Sequence, residues 1–366
     1  MEKKKKILIS PLNWGLGHAS RIVPVVNTLQ AMGHDVLIGG SGTSIDFLKE
    51  YYNSNMFVFI PSPDIKYGKK SAIGPGFAVS FISFVKSIYR DYFALKKIIN
   101  EHKIDVVISD NRPGLFSSKL NSIYISHQIN VKTRKPRSLS GKLVRYVHRK
   151  MIYKFNHCLI PDNENSLSLA GELSKAPLSD KFTYVGTLSR FYNYQNNVLR
   201  EEKDKKEVLV ILYGPEPHRS IFEDILLERF SSINLNVNFV RGIVGYNDKK
   251  DSINNKLKFY DNPDDAILYK LIKQSDLIIC RSGYSTLMDL AICGRKALLV
   301  PTPGQPEQEY LAEHFRTHLG FKICTQDEIR NIKFEDYFNS DIWHYPFDST
   351  KLKKVLDLRL KTNNEN

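Results

Sequence analysis

Cysteine is scarce. The 366 residues hold four, Cys158, Cys280, Cys293 and Cys324, and no two of them form a C-x-x-C pair. That spacing excludes the common zinc modules and a disulfide framework, and it suits reduced, buried thiols in a cytoplasmic protein. Long apolar runs are also missing. None approaches the ~18 residues of a transmembrane helix. The head "MEKKKKILISPLNW" has too few apolar residues before Pro11 for a secretory signal. The expected location is the cytoplasm, at most peripheral on the inner face of a membrane. Acidic residues are scarce in one half only. Residues 1–190 hold 28 Lys+Arg against 13 Asp+Glu, a net +15, whereas residues 191–366 hold 25 against 26, a net −1. A one-sided excess points to an anionic partner for the first half. No helix-turn-helix, zinc-finger or RNA-binding signature accompanies it, so nucleic acid is not expected.

What the chain does have is a repeated grammar. Short, fully apolar runs alternate with helical stretches: Ile7–Ser10, "HDVLIGG", "DVVISD", "SIYISH" and "NHCLIPD", then "EVLVILYG", "NVNFVRG", "LKFYD", "DLIICRSG", "KALLVP" and "FKIC". Such strands belong to parallel sheets covered on both faces. Two series, joined by the polar stretch "TLSRFYNYQNNVLREEKDKKE", predict an α/β protein of two doubly wound Rossmann-like domains facing across a cleft. The boundaries are set at 1–190 for a basic first domain and 191–348 for a second. Residues 349–366 form a late helix packing back on the first domain and a disordered tail. Ligands in such sheets bind beyond the carboxyl ends of the strands, so the turns after strands carry the chemistry.

The first such turn is "WGLGHAS". It resembles a G-x-G-x-x-G dinucleotide loop, but the acid expected about 20 residues on, at the end of the second strand, is absent. A nicotinamide or flavin cofactor is therefore not expected. A helix follows from about Ser20 to Met32, with Ile22, Val25, Val26 and Leu29 on one face, and with Pro24 placed in its first turn. His18, where the turn enters the helix, suits a general base. Asp110 ends another strand of the same domain and is the candidate partner that orients it. The bland alternative is a histidine that only caps the turn.

The second informative turn is "CRSGYSTLMDLAICG". A strand ends in Arg281-Ser282-Gly283 and a helix starts near Ser285. Gly283 lets a ligand approach the backbone, and unpaired N–H groups at the helix start favour a phosphate oxygen. Asp289, one turn into the helix, offers a carboxylate to two ribose hydroxyls. "VPTPGQPEQEYLAEHF" follows, with Gln305, Glu307, Gln308 and Glu309 presenting groups suited to sugar hydroxyls.

The stretch "DLIICRSGYSTLMDLAICGRKALLVPTPGQPEQEYLAEHF" resembles the nucleotide-sugar-binding region of glycosyltransferase family 28. The family includes the bacterial N-acetylglucosaminyltransferase that makes lipid II. The opening turn with His18 is similar to that family's first loop. The resemblance implies the GT-B fold and a UDP-sugar donor, possession of neither cofactor nor catalytic metal, and inversion at the anomeric centre. It implies that Ser282 and Gly283 line the pyrophosphate pocket with help from Thr286, and that Arg281 and Gly17 belong to the donor-binding set. Asp289 stands where the family has a ribose-binding glutamate. Gln308 and Glu309 stand at two sugar-contacting glutamines. His18 stands at the loop histidine. "LYGPEPHRS" replaces the family's glycine-rich phosphate loop and offers Gly214 and Arg219, the latter as a cation for the diphosphate. Tyr260 is placed to stack on the base.

Residues 132–154 hold nine Lys/Arg and no acid. Leu139, Leu143, Val147 and Met151 recur at i+4 steps, the pattern of a basic amphipathic helix suited to an anionic membrane surface. "PGFAVSFISFVKSIYRDYFALKKII" reads as core. The expected activity is transfer of a sugar, N-acetylglucosamine being the family's example, to a lipid-linked or anionic acceptor. A UDP-sugar 2-epimerase on the same fold and a non-catalytic nucleotide-sugar-binding subunit are the alternatives.

Overall fold

The apolar runs form two all-parallel sheets. In the computed structural model, residues 3–62, 76–133, 138–164, 168–194, 206–245, 256–338 and 342–361 are described, with the backbone alone for 76–84. The chain divides into two units. One comprises Met1–Trp14, His18–Leu188 and Phe347–Asn366, the other Gly15–Gly17 and Ser189–Pro346.

The first sheet contains β1 (Lys6–Pro11), β2 (Asp35–Gly40), β3 (Phe57–Phe59), β4 (Val106–Asp110), β5 (Asn121–Ile125), β6 (His157–Ile160) and β7 (Phe182–Tyr184), in the order β3-β2-β1-β4-β5-β6-β7. Its helices are α1 (Leu16–Ala31), α2 (Thr43–Leu48), α3 (Gly76–His102) and α4 (Leu139–Ile152). β1 and β4 are buried because both faces are covered. Leu8 and Val107 pack with Leu95 and Ile98 of α3 on one side. Ile22, Val25, Val26 and Leu29 of α1 are fully buried. Tyr124, Ile152, Phe155 and Cys158 form a smaller cluster.

The second sheet contains β8 (Glu207–Ile211), β9 (Asn236–Val240), β10 (Leu257–Tyr260), β11 (Leu277–Cys280), β12 (Leu298–Leu299) and β13 (Lys322–Ile323), in the order β10-β9-β8-β11-β12-β13. α5 (His218–Ser231), α6 (Asp265–Gln274), α7 (Tyr284–Cys293) and α8 (Pro306–Leu319) connect its strands. Its core joins Val208, Val210, Phe222, Phe230, Phe239, Ile279 and Phe334. α9 (Lys351–Lys361) belongs to the first unit. It buries Leu352, Leu356 and Leu360, and its Arg359 carbonyl accepts from Asn121 Nδ2 at 2.7 Å.

Both sheets share one logic. The chain runs outward from the central strand, returns, and continues on its other side. The strand order therefore reverses between β1 and β4 in one sheet and between β8 and β11 in the other, the place where such sheets bind ligands.

Three local readings change. α1 begins at Leu16, about one turn earlier than the periodicity predicts, so His18 is its third residue and Pro24 its ninth. An interior proline is accommodated in a helix whose inner face is wholly buried, because packing outweighs the missing backbone bond. β3, β7 and α2 have no counterpart in the sequence reading; at three to six residues they carry too little pattern to be seen. The predicted tail, 362–366, and residues 195–205 of the predicted joining stretch lie outside the described residues.

Candidate functional site

In the first unit, the end of β1 and the end of β4 are paired, Pro11 opposite Asp110. The Asp110 carbonyl accepts from Leu12 N–H at 3.0 Å. Gly15, at φ 70, turns the chain into α1, a conformation that costs glycine nothing. After Asp110 the chain turns through Asn111 at φ 54, a region asparagine tolerates better than most side chains. Arg112 fixes that turn. Its NH2 donates to Asp91 of α3 at 2.6 Å and its NH1 to Ser10 of β1 at 3.1 Å.

This scaffold brings His18 and Asp110 together. His18 Nδ1 lies 2.8 Å from Asp110 Oδ2, with the imidazole 13% exposed and the carboxylate wholly buried. A proton on Nδ1 serves the Asp110 carboxylate and leaves the Nε2 lone pair open, whereas Arg21 NH2, 2.6 Å from the same nitrogen, can only donate and is served by the other tautomer. Burial, with the Arg21 guanidinium second, holds His18 below the ordinary histidine value, while Asp110 pulls the other way. The imidazole is therefore uncharged near neutral pH, the state a base requires. Asp110 is pushed up by burial, but Arg21 and His18 outweigh that and hold it below the usual carboxylate range.

Two residues of this cluster escape the sequence reading. Arg21 Nε donates to Asp110 Oδ1 and Oδ2 at 2.9 and 3.0 Å. His127 Nδ1 lies 3.4 Å from Arg21 NH1. Arg21 was visible as the residue one helical turn after His18. His127 stands just beyond the end of β5.

In the second unit, Gly283 is the residue before α7, at φ −75 and ψ 135, and no side-chain cap is present. A Cβ built there meets nothing within 4 Å. Neither backbone conformation nor internal packing therefore demands a glycine. The first N–H groups of α7 follow this glycine, and a helix start suits an anion.

The other candidates are placed differently from the expectation. Ser282 is fully buried, and its hydroxyl donates to the Gln308 carbonyl at 2.7 Å. The side chain thus ties the turn to α8 and is not open to a ligand. Gln308 Oε1 accepts from Thr302 N–H at 2.9 Å, and Glu309 Oε1 from Gly304 N–H at 2.8 Å. Both fold back on the loop before α8, where they satisfy its backbone. Thr286 is buried in the first turn of α7.

Arg219 does not bring a spare positive charge. It pairs with Glu216 and Glu223, the latter at 2.7 Å, so its charge is balanced. Arg281 is buried, and its NH2 donates to Gln326 Oε1 at 2.6 Å and to the His218 carbonyl at 3.3 Å. Its guanidinium lies 3.9 Å from the Phe222 ring centroid. Burial lowers its pKa to about 9. Its described partners are carbonyl and amide oxygens, so it braces the start of α5 against the Gly283 turn. Gly214 follows β8, and a Cβ there also meets nothing within 4 Å. Tyr260 is half-buried at the end of β10.

Asp289 is 4% exposed. Its Oδ1 accepts from Ser189 Oγ at 2.5 Å, and Arg190 Nε lies 3.7 Å from its Oδ2. Burial, partly offset by Arg190 and Ser189, pushes it up to about 6. Arg190 NH2 also donates to Tyr213 OH at 2.7 Å. Ser189, Arg190 and Tyr213 are further residues the sequence reading missed, the first two because they fall in what looked like a joining stretch.

Residues 196–337 match the Glycosyltransferase family 28 C-terminal domain. An uncharacterized glycosyltransferase of Methanosarcina acetivorans is 27% identical over 317 residues, 83% of this chain and 81% of that protein. The UDP-N-acetylglucosamine--N-acetylmuramyl-(pentapeptide) pyrophosphoryl-undecaprenol N-acetylglucosamine transferase of Haemophilus influenzae is 24% identical over 342 residues, 89% of this chain and 87% of that protein. Among solved structures, the glycosyltransferase SnogD from Streptomyces nogalater aligns with a TM-score of 0.63 at 15% identity, covering 98% of this chain and 100% of that one. Acinetobacter baumannii MurG aligns with a TM-score of 0.58 at 16% identity, with the same coverage. Two parallel sheets of one strand order and relatives that span most of the chain agree: the chain is a glycosyltransferase with the GT-B fold, and its residues 196–337 match the family 28 C-terminal domain.

Proposed function

We propose that the chain transfers a sugar from a UDP-sugar to an acceptor hydroxyl with inversion at the anomeric carbon. The observation that carries this reading is the His18–Asp110 pair at the end of β1 and β4, with Nδ1 2.8 Å from Oδ2. His18 Nε2 takes the proton from the acceptor hydroxyl as the oxygen attacks the anomeric carbon. The bond to the diphosphate breaks on the opposite face, and UDP leaves with the bonding pair. The N–H groups at the start of α7, which follow Gly283, hold the diphosphate and stabilise its developing charge, so no metal ion is required. A UDP donor is supported by the name of the Haemophilus transferase and by a UDP complex of the same fold, Staphylococcus aureus MnaA, at a TM-score of 0.56.

The acceptor is anionic or lipid-linked. Support comes from the net +15 of residues 1–190 and from α4. This helix exposes Leu139, Leu143 and Tyr146 beside Lys142, Arg149 and Lys150. No helix among the described residues is long and apolar enough to cross a membrane. The contact is therefore peripheral, on an anionic surface.

The test has two stages. A metal-free melting panel with UDP, GDP and TDP and their common sugars identifies the donor, because a ligand that binds the folded state raises the melting temperature. Turnover with the identified donor is then compared for wild type and His18→Ala. The variant is expected to keep donor affinity and lose about 10²–10⁴-fold in rate. Undiminished turnover removes His18 from the reaction.

A further inference from the structure

The pair that supplies the base has a third member with an unexplained burial. Arg21 is 2% exposed. Its Nε donates to both oxygens of Asp110, and its NH2 donates to Oδ1 as well. The same NH2 lies 2.6 Å from His18 Nδ1. A lone buried carboxylate beside a histidine draws it toward the charged imidazolium. An imidazolium cannot accept a proton. Here the carboxylate is matched by a guanidinium one helical turn from the histidine it orients.

We infer that Arg21 is a positioning residue that cancels the charge of Asp110 while leaving it a hydrogen-bond acceptor, so that His18 stays neutral beside a buried carboxylate. This rests on the reading of His18 as the base. The charged and titratable groups around His18 come from three elements. Arg21 lies on α1, Asp110 ends β4, and His127 follows β5, with its Nδ1 3.4 Å from Arg21 NH1. Tyr124 of β5, beside Asp110, is pushed upward by burial and stays protonated. Arg21 is the only one of these groups that touches both members of the pair and His127. Its fork serves Asp110 through two nitrogens, a geometry lysine cannot reproduce.

The experiment is an NMR titration of the full chain with labelled histidine rings, which needs neither donor nor acceptor. His18 is assigned by the signal lost in His18→Gln. Wild type, Arg21→Met and Arg21→Lys are compared, with circular dichroism and melting recorded for each. In Arg21→Met the midpoint of His18 is expected to move up, because the carboxylate is no longer cancelled. In Arg21→Lys the charge remains, so the midpoint is expected to stay near wild type. A folded Arg21→Met with an unmoved or lowered midpoint overturns the inference. Should Arg21→Met not fold, an Arg21→Lys midpoint well above wild type, with the positive charge still present, overturns it. A moved midpoint together with turnover that survives His18→Ala would leave the tuning intact and remove only the base role.

Discussion

Gly283→Ala adds one methyl group at the start of α7, and the structure assigns it opposite effects on the fold and on the ligand. The backbone sits at φ −75 and ψ 135, open to any residue. The added Cβ meets nothing within 4 Å, so the folded state is not strained. The unfolded chain loses freedom, which stabilises the variant by about 0.4–1 kcal/mol. The ligand meets the opposite situation. In the proposed donor site the methyl takes space that a diphosphate oxygen would need beside the start of the helix. Losing one charge-assisted hydrogen bond costs about 1.5–3 kcal/mol, or roughly ten- to a hundredfold in affinity. Melting and UDP calorimetry on the same samples read both effects. A melting temperature several degrees lower would show that the fold, not a ligand, requires the glycine. Unchanged UDP affinity at normal stability would show that no ligand approaches there. Gly242→Ala is the control. At φ 68 its Cβ would collide with the Tyr213 ring, so that variant loses stability without any ligand being involved.

Ser282→Ala leaves the buried Gln308 carbonyl without its hydroxyl partner and is expected to cost about 1–3 kcal/mol, read by denaturant unfolding, with UDP affinity unchanged once folded. Asp289 has a folded pKa of about 6, above the unfolded value of about 3.9, so the contribution of its neutral form is present below pH 4 and is lost as pH rises through 6. Asp289→Asn should flatten that decline in a pH series of unfolding midpoints, whereas an unaltered slope would remove Asp289 as its source. Leu143→Glu lies on an exposed position of α4 and should leave stability within about 0.5 kcal/mol while reducing sedimentation with anionic vesicles; undiminished sedimentation would remove α4 from the contact.

How much was legible varies with the physics behind each residue. The long elements of both sheets were readable, because strands covered on both faces must be apolar throughout and helices between them must repeat every 3.6 residues. His18, Asp110 and Gly283 were singled out because the same topology places ligands just beyond strand ends. The start of α1 was not. Its first turn holds Gly17, a poor helix former, and lacks the apolar repeat of the turns that follow. β3 and β7 were too short to show a period.

The sequence by itself determined the fold class and pointed to the turns after strands, since local periodicity and strand-end position are properties of the chain. Only the tertiary structure decided what each side chain does there. It committed Ser282, Gln308 and Glu309 to loop backbone and spent the charge of Arg219 on two glutamates. It also joined Arg21 and His127 to the His18–Asp110 pair across as many as 106 residues of sequence. A buried donor or charge must find a partner wherever the fold puts one, and that partner is set by distance in space rather than by spacing along the chain.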